Sequence, residues 1–155
     1  MTWVRLIFSF TYTLVGLSGC FAFFYFKNYP AAVLAVATGV INAILSHLHF
    51  LNHRNQLQEW YNPSHLRQIS WFGFYSFAVS TSILVYFAVL EIMDKKPLLP
   101  IQDSAVIAMV WCLITLKSGL ILQYYARSYS KHNHTLLREE PAQEETSAET
   151  QEITP

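Results

Sequence analysis

The stretch Leu113–His134, LITLKSGLILQYYARSYSKHNH, decides which solvent this chain is written for. Its first half is as apolar as a lipid-soluble helix, yet Lys117 sits inside it. Its second half loads the end of the same run with Tyr124, Tyr125, Tyr129, Arg127, Lys131, His132 and His134. A lysine near the centre of a membrane helix costs roughly 2.5–3.5 kcal/mol on insertion scales, so it should face a protein interior or water. The aromatic and basic groups that follow suit an interfacial anchor with snorkelling cations. They also suit a ligand site, since Tyr125, Tyr129 and His132 fall at i, i+4 and i+7 on one helix stripe.

Working outward, the whole chain is too apolar for a soluble domain of its length: 155 residues, 53% hydrophobic and 13% charged. Four runs, 4–26, 30–51, 69–92 and 104–126, reach the roughly 20 residues a helix needs to cross a hydrocarbon core. They are too long and too evenly apolar for barrel strands. The expected fold is an all-α membrane protein, a bundle of four transmembrane helices. LVGLSGC, Leu14–Cys20, has the look of a lipoprotein cleavage box, but FAFFYF continues the apolar run beyond the cysteine. Cys20 and Cys112 lie in apolar runs and read as packing residues.

The connections sort the charges. Pro30 suits the first turn of the second helix and makes the first connection a tight hairpin. Residues 52–68 are polar and basic, with Asn62-Pro63 marking a turn. Two prolines in MDKKPLLPIQD, Met93–Asp103, interrupt the helix, and Asp103 or Ser104 is placed to cap the fourth. Arg5, Arg54, Arg67, Arg127, Lys131 and Arg138 share one side, against Lys27, Lys95 and Lys96 on the other. Positive-inside bias puts both termini in the cytosol. Net charge is zero only because glutamates crowd the end of the chain, and residues 135–155 read as a disordered acidic tail. No internal repeat is apparent.

Thr38, Asn42, Ser46, His49 and His53 step by three or four residues and collect on one stripe of the second helix. Such a stripe faces protein or water, either to hydrogen-bond between helices or to bind a ligand. His47 lies on the opposite side. Phosphate loops, HExxH and nucleophile elbows are absent from the sequence, so neither an enzyme nor a nucleic-acid binder is expected. Imidazole for iron, tyrosine for a flat ring and Arg or Lys for carboxylates are together the handles that a haem offers.

At these residues the chain resembles the haem-responsive-gene (HRG) family of haem transporters. The likeness rests on Tyr125-Ala126-Arg127-Ser128-Tyr129, which resembles the family's aromatic-Ala-basic-x-Tyr motif. Leu116-Lys117 inside the last span and Ser46-His47 at the end of the second add to it, over roughly residues 8 to 134. The resemblance implies a permease that moves haem toward the cytosol, from an endolysosomal lumen or across the plasma membrane. It implies His47 as axial iron ligand, and Tyr125, Arg127 and Tyr129 as an exit site. Lys117 belongs with these haem-binding candidates. Periodicity instead favours His49 and His53, and with the family's usual outward histidine missing here, Tyr29, Lys95 and Lys96 are the outward groups left to attract propionates. Haem is the expected substrate rather than a resident cofactor, and lipid and a second copy of the chain are the expected partners. The alternative is a four-span scaffold that helps assemble or sort another complex.

Overall fold

In the computed structural model the described residues are 2–94 and 104–152, with side chains described for 3–93, apart from 58, and for 104–131. Four long helices account for them: α1 Thr2–Tyr25, α2 Tyr29–His53, α4 Pro63–Asp94 and α5 Ala105–Glu152, with a single-turn α3 at Leu57–Trp60. All four long helices contain membrane-length apolar segments, that of α5 running from Ala105 to Lys131. The chain is an all-helical, multi-pass membrane protein. Residues 135–152, expected to be disordered, lie within the range of α5 with side chains outside the described residues, and Lys95 and Lys96 lie outside the described residues altogether.

Local chemistry sets the boundaries. Lys27 takes a left-handed conformation, φ 60°, to reverse the chain between α1 and α2. Asn28 then caps α2 by accepting from the Ala31 amide at 3.2 Å, with Pro30 in the first turn. The third span starts earlier than its apolar run. Asn62 carbonyl accepts from the amides of His65 and Leu66, so Asn62-Pro63 opens α4 instead of closing a turn. Leu66, fully buried among α2 and α5 residues, gives that extra turn something to pack against. Ser104 does not cap α5 through its side chain, because its Oγ is buried without a hydrogen-bond partner. Its carbonyl accepts instead from Asn28 Nδ2 at 3.4 Å, tying the start of α5 to the start of α2. Asp103, the other candidate cap, is outside the described residues.

The helices pack in the order α1, α2, α5, α4, as two hairpins joined through α2 and α5. Hydrocarbon lining both sides of a helix pair gives no hydrophobic drive to associate, so close backbone approach and polar contacts must do it. Both are present. Each hairpin crosses at glycine. A methyl group at Gly16 sits 2.6 Å from the Gly39 amide nitrogen, and one at Gly73 sits 2.8 Å from the Gly119 carbonyl oxygen. Between the hairpins, Thr38 and Thr115 join their hydroxyls at 2.8 Å. Thr115 also donates to the Trp111 carbonyl at 2.7 Å, which leaves Thr38 as the donor in the shared bond. Asn42 Nδ2 donates to Ser118 Oγ at 2.9 Å, one turn further along.

These contacts advance together along both helices, so α2 and α5 run parallel. The 77-residue separation of Thr38 and Thr115 carries other buried α2 positions onto buried α5 positions: Ala31 onto Ala108, Ala35 onto Cys112, Leu45 onto Leu122, His49 onto Ala126. Burial along α2 is thus repeated 77 residues later along α5, in register about the threonine pair. The sequence hides this because burial repeats while residue identity mostly does not. Replacing either threonine by valine should cost about 0.6 kcal/mol, the usual size of such a contact in lipid. The double replacement should cost less than the two singles added, as read by unfolding in detergent.

Candidate functional site

The burial that α2 and α5 share is not matched by their chemistry. Between α1 and α5, floored by α2, lies a cavity of about 570 Å³, within the roughly 300–1,000 Å³ span of small-molecule sites. From α1 it is lined by Arg5, Phe8, Ser9 and Tyr12, from α2 by Asn42, Leu45 and His49, and from α5 by residues between Leu113 and Tyr125 that include Lys117 and Ser118. Moved back by those 77 residues, the α5 positions Leu113, Ile114, Lys117, Ser118, Ile121 and Tyr125 land on Val36, Ala37, Val40, Ile41, Ile44 and Leu48. All six counterparts are apolar. The polar lining that α5 gives this cavity therefore has no counterpart on α2.

His49 is the centre of that set. It is buried, its Nδ1 lies 3.0 Å from the Tyr129 hydroxyl, and its ring meets Tyr125 edge to face at 4.6 Å. When Nδ1 carries the proton and donates to Tyr129, the Nε2 lone pair is the one left for a metal, and such a partner on the second nitrogen is what orients metal-binding histidines. Tyr125 is further engaged by Arg5, whose Cζ lies 5.3 Å from the ring centroid. Lys117 Nζ lies 5.7 Å from the Tyr12 ring. The opening lysine thus turns toward a phenol inside a cleft. Among the described residues no Asp or Glu lines this cavity, and no three His, Cys, Asp or Glu side chains gather to hold a bare metal ion.

The remaining candidates sit elsewhere. His47 is exposed on the far side of α2, with Nδ1 3.2 Å from the Tyr61 hydroxyl and its ring against Trp60. With Trp3, Leu6, Ile7, Phe10, Ser46 and Phe50 it lines a shallow apolar hollow on the other face of α1. Arg127 shares a separate surface hollow with Gln123, Tyr124, Ser128 and Lys131. The five-residue stretch Tyr125–Tyr129 is therefore split, its two tyrosines turned toward His49 and its arginine away. His53 is exposed and packs on Trp3 at 4.6 Å, and Ser46 Oγ is buried without a partner. Tyr29 is exposed, its ring 5.7 Å from that of Phe24. Sequence reasoning missed Arg5 and Tyr12. Its only available signal was an arginine at the start of a span, and that was absorbed into the charge count.

Fold and cavity define the class: a multi-pass helical membrane protein with a mostly apolar chamber, set with a few polar groups, between its first and last helices. Comparison of the chain with protein-family models, with curated proteins and with solved structures finds no match.

Proposed function

We propose that the chain is a haem permease, moving haem through the α1–α5 cleft toward the cytosolic ends of its helices. The observation that supports it is the convergence, in one mostly apolar chamber, of a buried imidazole, aromatic faces and two cations without a carboxylate. Those are the groups an iron, a macrocycle and two propionates each require. One imidazole suits transport, since a carrier must release what it binds. Cytosolic termini, an endolysosomal or plasma membrane, and self-association belong to the same proposal. The exposed apolar faces of α1 and α4 suit direct contact with lipid acyl chains.

Vesicles reconstituted with the protein and containing an entrapped apo haem-binding protein test this directly. Haem added outside should reach the acceptor faster than in protein-free vesicles, read by the growth of its Soret band. Equal rates remove the proposal and leave the scaffold. In the same assay Lys117→Leu should separate function from stability. It takes away a cation costing roughly 2.5–3.5 kcal/mol at membrane depth, so protein abundance should hold or rise. Haem transfer should nevertheless slow severalfold, and a variant at wild-type rate makes Lys117 a bystander.

A further inference from the structure

Both cations of the cavity rest on aromatic faces rather than on acids: Arg5 on Tyr125, and Lys117 on Tyr12. A ring face holds a cation by roughly 0.5–2 kcal/mol, whereas a hydrogen bond between ions is about twice as strong as a neutral one. An incoming carboxylate can therefore draw either cation off its ring, and among the described lining residues no Asp or Glu competes for it. The two cations differ in depth and in shape. Lys117 precedes Tyr125 by eight residues on α5, about 12 Å along the axis at 1.5 Å per residue, and Arg5 sits at the Tyr125 end. Arginine presents a planar fork that matches a carboxylate with two parallel bonds, while lysine presents a point charge.

We propose that Arg5 is the residue that recognises a carboxylate arm of the ligand. Its exchange from the Tyr125 face to that carboxylate bares the ring next to His49 for the flat body of the ligand. Lys117 meets the anion deeper in the cleft, before Arg5 takes it. This assignment rests on the haem-permease reading and adds to it a specificity residue on α1, a helix outside the stretches that carry the resemblance. The arginine of the Tyr125–Tyr129 stretch does not fill this role, because Arg127 opens into a different hollow.

The test is binding of zinc protoporphyrin IX and of its dimethyl ester to the full chain in lipid nanodiscs, each corrected against empty nanodiscs. Wild type should hold the free acid at least about tenfold more tightly than the ester, the worth of one charge-assisted hydrogen bond. Arg5→Gln should cut the acid's advantage over the ester to the part that Lys117 alone supplies, while leaving the ester unchanged. Arg5→Lys keeps the charge without the fork, so it should lose less of the preference, and it serves equally where the glutamine variant folds poorly. A wild-type acid preference in both variants overturns the assignment while the permease reading stands. Equal loss of both ligands also overturns it, by making Arg5 structural. If wild type binds neither porphyrin, the permease reading fails and takes this one with it.

Discussion

His49→Ala should reduce porphyrin affinity by about a hundredfold, while His47→Ala leaves it within about twofold of wild type. The second nitrogen's partner alone shifts the affinity of a metal-binding histidine by roughly 10–100-fold, and removing the ring removes both the ligand atom and the edge-to-face contact with Tyr125. Tyr129→Phe isolates the partner: it deletes the hydroxyl 3.0 Å from His49 Nδ1 and keeps the ring. It should cost less than His49→Ala and more than Arg127→Gln, whose side chain lines another hollow. Titration of purified protein with ferric haem, followed at the Soret band, gives the order. Loss of binding in His47→Ala with His49→Ala intact reverses the assignment of the ligand and restores the histidine that the family resemblance implies.

The largest effect on stability is expected from Gly16→Leu, which should leave almost no folded protein. A Cβ at Gly16 meets three backbone atoms of α2, the Ala35 oxygen at 2.7 Å and the Gly39 nitrogen and Cα within 2.8 Å, and backbone cannot swing aside. The two helices must part, and with them the contacts that draw α1 against the cavity floor. Even Gly16→Ala should cost at least the roughly 1–3 kcal/mol of ordinary overpacking. Gly73→Ala, which meets backbone of α5 at 2.8 Å, should behave alike. Gly39→Ala is the internal control, since its nearest neighbour is 3.3 Å away. Thermal unfolding in detergent should rank Gly16 and Gly73 as the most sensitive, with Gly39 milder. A stable Gly16→Ala protein would show that the first hairpin crosses elsewhere.

Much of this was legible in the residues, and the reasons differ from place to place. Spans could be read because lipid demands long apolar runs with self-satisfied backbone. The start of α4 could not, because Pro63 and Asn62 make a good helix entry as well as a good turn. The polar stripe of α2 was half right for a geometric reason. At 100° per residue, Asn42 and His49 stay within about 40° of Thr38, while Ser46 and His53 drift to about 80° and 60°, and His47 points about 180° away. The structure buries the first three and leaves His47 and His53 exposed. Helix periodicity had marked His49 and His53 and a short local match His47, and of the three only His49 is buried.

By itself, then, the amino-acid order determined the solvent, the number of membrane-length helices and which face of α2 is polar, since each is a property of one segment and its period. It also marked Lys117 as a group that must leave the lipid. Only the tertiary structure decided that α2 and α5 meet in parallel with matched burial, and that α1 closes one side of the chamber. It alone put Arg5 beside Tyr125, some 120 residues apart in the chain, and turned Arg127 out. Helix rotation and neighbour choice are set by side chains of two segments at once, by glycines that admit another backbone and hydroxyls that find each other. No window along a single chain contains both halves of such a contact.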